Sequence, residues 1–227
     1  MAFTNTKNAA VVGLDMAFAA ILKTDPLNTG ATTETTPIYE HLNPLPNVRS
    51  ASVSSADSTT IEYFDNAAKY SILSKGNKTV TLSRSHFSNE ELKMYFGLQT
   101  SEDWITLEGS ESIPPYVALG FRRLKIGQDG GQYYDYVWYL KGILRINDDA
   151  AETRQESPAL QLRTAVGEFI ERQADGFTVI KVSTDDLNIN QTVFNNWFTL
   201  QTLNKLYKAA TLGNGGSEFN GYGDDDD

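Results

Sequence analysis

Two histidines, His41 and His86, stand apart in a chain of 227 residues that has no cysteine. Neither has a second histidine or a thiolate at metal-ligand spacing, so neither marks a metal centre or a nucleophile–base pair. Three adjacent acidic pairs, Glu90-Glu91, Asp148-Asp149 and Asp185-Asp186, have the residue type for glycoside chemistry. That chemistry needs two carboxylates at a fixed separation, whereas neighbours on a strand point to opposite faces. All three pairs fall in polar loops or at a helix start, the setting of solvated charge. Gly127, Gly130 and Gly131 are close enough to suggest a phosphate cradle, but strand-like runs flank them where such a loop would open a helix. No Gly-x-Ser-x-Gly elbow occurs. Residues 224–227, all aspartate, lack the spacing and the glycine of a Ca²⁺ loop. Arg122, Arg123 and Lys125 make a small basic patch, with too few cations for a nucleic-acid site. The residue types point away from catalysis: no catalytic residue, no metal and no cofactor is expected.

The element around which the chain is organised is a hairpin over residues 116–146. Two alternating runs flank the Gly-rich break, and the three glycines supply the positive φ that a tight turn needs. Val117, Leu119 and Phe121 share one face of the first run; Tyr134, Tyr136, Trp138 and Leu140 share one face of the second. The opposite faces carry Leu124, Ile126, Val137, Tyr139 and Ile143, so both sides of the hairpin must be covered.

The order Pro-Tyr-Val-Ala-Leu-Gly-Phe-Arg (115–122), a Gly-rich turn, then Tyr-Val-Trp-Tyr-Leu-Lys-Gly (136–142) resembles the major tail proteins of long-tailed bacteriophages with non-contractile tails, in the branch common in phages of Gram-positive hosts. Val12-Gly13-Leu14-Asp15-Met16-Ala17 and Tyr63-Phe64-Asp65-Asn66 are similar to the same family. The resemblance touches segments between about residues 12 and 197. It implies hexameric rings stacked into a hollow tube for DNA, with the inner sheets of six subunits joined into one barrel and no catalysis. It also implies other tail proteins as partners: the tape measure, the distal tail protein and the tail terminator. The location implied is the virion tail, after synthesis in the host bacterial cytoplasm, with no membrane.

Composition agrees with a self-sufficient core. A chain of this length buries roughly 70% of its unfolded surface and needs no staples. Aromatic residues make up 11%, which suits β structure. The formal net charge is −10, and half of it lies after Gly213, in Glu218 and the four final aspartates, which leaves −5 for the rest. An acidic surface binds nucleic acid poorly, because phosphate contacts need Lys and Arg, and it suits a channel past which DNA slides. No apolar stretch is long enough to cross a bilayer as a helix.

Taken in order, residues 1–8 read as a loose arm and 11–22 as a strand. Residues 23–48 read as a long loop with Pro26, Gly30, Pro37, Pro44 and Pro46. Such a loop either docks on another surface or stays on its own. Leu27, Ile38, Tyr39, Leu42 and Leu45 are its docking residues, and the tube reading makes them the contact between one ring and the next. Strands are expected over 48–53, 59–64, 70–73 and 79–83, the last two joined by a turn at Lys75-Gly76-Asn77. Ser88 and Glu91 form a capping box for a helix that Gly97 ends. A short edge strand is expected at 104–107, and further strands at 159–166 and 177–182. A second helix is expected over 191–209, with a stripe of Val193, Phe194, Trp197, Phe198, Leu200, Leu203 and Leu206, the alternative for part of it being an extended terminal strand.

These expectations amount to a mainly β, antiparallel β-sandwich with one or two short packed helices. Residues 1–212 form one domain and residues 213–227 a flexible acidic tail. The competing function is a monomeric carbohydrate-binding sandwich of a phage or cell-surface protein, stacking sugars on Tyr133, Tyr134 and Tyr139. A more distant relation to the first is the ring protein of type VI secretion tubes.

Overall fold

The structure, a computed structural model, describes residues 9–27, 36–101, 105–148, 161–186 and 192–206. The expected terminal arm, the acidic tail and most of the polar stretch after residue 148 lie outside the described residues. The chain runs β1 (Ala10–Thr24), β2 (Ile38–Pro44), β3 (Val48–Ser55), β4 (Ser58–Phe64), β5 (Ala67–Ser74), β6 (Lys78–Arg84), α1 (Asn89–Phe96), β7 (Gln99–Thr100) and β8 (Thr106–Leu107). It continues through β9 (Val117–Ile126), β10 (Gln132–Asp148), β11 (Arg163–Phe169), β12 (Val179–Ser183), α2 (Thr192–Asn195) and α3 (Leu200–Lys205). The fold is mainly β and antiparallel, with a few short helices, as the sequence pattern implies.

One large sheet has the order β2-β1-β9-β10-β11-β6-β3, with β12 also paired to β10. The central hairpin is β9–β10, in register Val137↔Phe121 and Tyr139↔Leu119. Its two faces are covered, as a strand apolar on both sides requires. On one, Leu119, Phe121, Val137 and Tyr139 meet Val80, Leu82, Ala165 and Phe169 from the other half of the sheet, and Phe87, Tyr95 and Phe96 of the α1 region close that core. The sheet thus curls on itself as a sandwich, and β3 comes back against β1. On the other face, Tyr136, Trp138 and Leu140 pack under Phe194, Trp197 and Leu203. Gly120 permits this second layer: a Cβ there would stand 2.6 Å from the Trp138 indole.

The local signals of α1 hold. Ser88 accepts from the Glu91 amide, Glu91 answers to the Ser88 amide, and Gly97 closes the helix at φ 68°. Glu91 also bonds the buried Arg84 guanidinium at 3.0 Å, so the cap ties the helix to β6.

The structure departs from the pattern in three places. Residues 38–44, inside the expected loop, are a strand paired with the second half of β1. The expected second helix is broken into α2 and α3. The Trp138 indole donates to the Trp197 carbonyl at 3.2 Å, and Thr199 caps α3 by accepting from the Thr202 amide, so a buried side-chain bond and a new cap replace a continuous helix. Lys75-Gly76-Asn77 is not a hairpin turn, because β5 pairs with β4 and β6 pairs with β3.

Candidate functional site: a two-stranded arm

Clusters of charge come first, since chemistry would need them. Lys125 is on β9, its ammonium 2.6 Å from Asp185, 3.2 Å from Asp135 and 3.2 Å from the Ser183 hydroxyl. A serine beside a lysine is a nucleophile–base arrangement only if the lysine is neutral. Burial alone would lower the Lys125 pKa, but the hydrogen bonds to Asp185 and Asp135 outweigh it and hold the ammonium above its ordinary value. The Ser183 hydroxyl, with one proton to give, lies within hydrogen-bond reach of the carboxylates of both Asp135 and Asp185. The cluster is a set of ion pairs that ties β9, β10 and β12 together.

It also neutralises the basic patch read from the sequence. Arg122 pairs with Asp15, Arg123 with Asp135 at 3.0 Å, and Lys125 with two aspartates. His41 sits on β2 at φ 53°, where its carbonyl accepts from the Tyr95 hydroxyl at 3.0 Å and its exposed ring lies 4.0 Å from the Glu40 carboxylate. Among the described residues no three metal-binding side chains converge. The aromatic platform of the carbohydrate reading is divided: Tyr139 is buried in the core, Tyr134 lies under the Arg122 guanidinium at 4.5 Å, and Tyr133 bonds Asp129 at 2.8 Å.

A second polar cluster fixes the stretch after β1. Asp25 accepts from the Lys141 ammonium at 2.7 Å and from the amides of Gln173 and Ala174. Arg172 is fully buried, pairs with Asp175 and donates to the Tyr39 hydroxyl at 3.0 Å. That hydroxyl donates to the Leu140 carbonyl at 2.9 Å. The five residues expected to join ring to ring are thereby separated. Tyr39 and Leu45 are buried in their own subunit, Leu42 is half-buried against the α3 layer, and Leu27 and Ile38 are exposed at 65% and 44%. Tyr39 and Leu45 thus pack into the core of their own chain.

The surface that stands out is β4–β5. This hairpin turns at Asp65 and Asn66, both at positive φ (51° and 60°), the pair of left-handed residues that a two-residue turn needs. Its strands pair with each other and, among the described residues, with no other strand. Every residue of both strands is exposed. The pairing puts Phe64, Tyr70 and Ile72 on one face, where Phe64 and Tyr70 stack edge-on at 5.7 Å. Ile61, Tyr63 and Leu73 lie on the other. Those six side chains are 48–67% exposed.

The base of this arm is built, not frayed. Asp57 accepts from the Gly76 amide at 2.8 Å and pairs with Lys78 at 3.0 Å, and the Ala56 amide donates to the Asn77 carbonyl at 3.1 Å. A Cβ at Gly76 would stand 2.2 Å from the Ala56 carbonyl oxygen, so the two strands cross closely here. The arm therefore continues the β3–β6 ribbon through a fixed joint. The alternation over 59–64 and 70–73 shows in the sequence. Its lack of cover does not, although Asp65-Asn66 between two apolar runs is a hairpin signal.

No protein-family model matches this chain, and no curated protein matches it. No helix among the described residues is long and apolar enough to cross a membrane.

Proposed function

We propose that the chain is a self-assembling structural subunit, a tail tube protein whose stacked hexameric rings form the conduit for phage DNA. The observation that carries this reading is the arm. A two-stranded ribbon is marginal in water, and one that exposes large apolar residues on both faces is a surface meant to be covered. The mainly β, antiparallel fold supports it. So does the position of the family-like segments: residues 12–17, 115–122 and 136–142 fall on β1, β9 and β10, three adjacent strands, and residues 63–66 form the tip of the arm. The ion-paired state of Arg122, Arg123 and Lys125 leaves these cations unavailable to phosphate, as a DNA conduit wants. The tape measure, distal tail and tail terminator proteins are the further partners of this reading. Light scattering and negative-stain electron microscopy of the purified chain test it. Rings or tubes are expected; a chain that stays monomeric at high concentration overturns it.

A further inference from the structure

The arm needs a seat, and the described residues offer one of matching kind. β1 is fifteen residues long. Its second half is paired on both sides, with β9 and with β2, which covers only Phe18 to Thr24. Its first half, residues 10–16, is paired with β9 alone. Among the described residues no strand pairs with its other edge over these seven residues. Val11, Val12 and Met16 are exposed beside that edge, at 51%, 57% and 43%.

Proteins that keep a sheet edge free of partners usually place Lys or Pro on it. Residues 10–16 contain neither, and their one charge, Asp15, is already paired with Arg122. Two register shifts on the β9 side, between Val11 and Gly13 and between Leu14 and Met16, bend this stretch away from the plane of the sheet. An arriving strand would meet it at an angle set by those bulges.

We propose that the arm of one copy adds to the open edge of β1, residues 10–16, in a neighbouring copy. The inference rests on the self-assembly reading above and names the surface that completes it. β4 has seven residues, the length of the open edge. Both outer edges of the arm lack a strand partner among the described residues, so backbone pairing is possible from either side. Strand addition supplies main-chain hydrogen bonds, and the alternate side chains supply selectivity. One face of the arm then continues the sheet face that carries Val11, and the other continues the face that carries Met16. The six apolar side chains of the arm expose several hundred Å², of the order that a standard interface takes from each partner, roughly 800 Å². Arm and edge are different patches, so the contact is head-to-tail: it closes into a ring or runs on as a filament, and it leaves neither feature unmet.

The cysteine-free chain makes the test direct. One preparation carries Ser71→Cys on the arm. A second, with a mass tag, carries Val12→Cys on the edge. Two controls replace the second with Val53→Cys on β3 or Ile113→Cys before β9, both exposed apolar positions elsewhere. Each pair is mixed, concentrated and treated with a short bismaleimide, and the heterodimer is read on a denaturing gel. The Val12 pair should give at least about tenfold more heterodimer than either control, as a positioned pair does over random collision. Thr60→Cys in place of Ser71→Cys repeats the test from the other strand of the arm, should the first variant misfold. If wild type forms rings or tubes but the controls match or exceed the Val12 pair, the seat is elsewhere and the inference falls while self-assembly stands. If wild type is monomeric and no pair links, both fall.

Discussion

Asp57 and Lys78 clasp the arm to the body, carboxylate and ammonium 3.0 Å apart at the point where one ribbon becomes the other. Strand pairing stops at Ser55↔Lys78 and resumes at Ser58↔Ser74. Across that gap the direction of the arm is set by side chains: Asp57 holds the Gly76 amide, and Lys78 also donates to the Ser55 hydroxyl.

Asp57→Ala should therefore loosen the arm and spare the body. Hydrogen exchange should quicken over residues 58–74 while β9 and β10 keep their protection, because local opening follows local contacts. The pH behaviour has a definite sign. Hydrogen bonds from the Ser55 hydroxyl, the Gly76 amide and the Lys78 ammonium hold the Asp57 carboxyl well below its ordinary value of 3.8. The clasp is thus fully present above that value and is lost only as pH falls through the depressed one. After correction for intrinsic rates, arm protection just above pH 3.8 should equal that at neutral pH. An arm that opens already on approach to that value would contradict this account.

The buried cluster behind β2 predicts a larger effect. Asp25→Ala strands the Lys141 ammonium and leaves two amides, of Gln173 and Ala174, without their acceptor. Removing one partner of a buried pair costs about 3–5 kcal/mol. Chemical denaturation should show a loss of that order. For the same reason residues 25–46 cannot be exchanged for a flexible linker. β2, Tyr39 and Leu45 would go with them, and the subunit should unfold rather than merely fail to stack.

Tyr39 gives the alkaline counterpart. Burial pushes its phenol up to about 12, against the pull of the Arg172 guanidinium beside it. A raised pKa means that the stabilisation is complete below the ordinary value of 10.0 and is lost as pH rises through about 12. The difference in tyrosinate absorbance between wild type and Tyr39→Phe should contain one phenol titrating near 12. Tyr39→Phe should also lose stability less steeply above pH 10 than wild type does. A difference titration centred near 10 would place the phenol in solvent.

What the sequence disclosed follows from range. The central hairpin was legible because its alternation and its glycines act within a few residues, and so was the α1 cap, where Ser88, Glu91 and Gly97 do the same. β2 was hidden because Pro37, Pro44 and Pro46 carry a loop signature, and only pairing with β1 overrides it. Asp25 gave no signal, since a buried ion pair with Lys141, 116 positions away in the chain, has no local pattern, and the Arg172–Asp175 pair, though three residues apart, carries no sign of its burial. The helix break at residues 196–199 came from a tertiary contact, the Trp138 indole on the Trp197 carbonyl. For the candidate site, the strands of the arm could be read, but not their exposure. Alternation reports which side chains share a face and says nothing about what covers that face.

That last distinction yields the decisive prediction. If the arm is clasped between neighbours, both of its faces are buried in the assembly and neither is buried in the subunit. Tyr70→Ser with Ile72→Ser strips one face; Ile61→Ser with Tyr63→Ser strips the other. All four residues are 48–67% exposed in the subunit, so neither double variant should lower the thermal midpoint by more than a small amount. In the assembly each large apolar side chain contributes roughly 1.5–3 kcal/mol when fully buried. Each pair thus accounts for about 3–6 kcal/mol, or roughly a hundredfold to ten-thousandfold in the association constant at every contact. Both variants should remain folded monomers at concentrations where wild type forms rings, as read by circular dichroism together with light scattering. Should only one face matter, the arm lies on a surface instead of between two. Should neither matter, the arm is not the contact that builds the assembly.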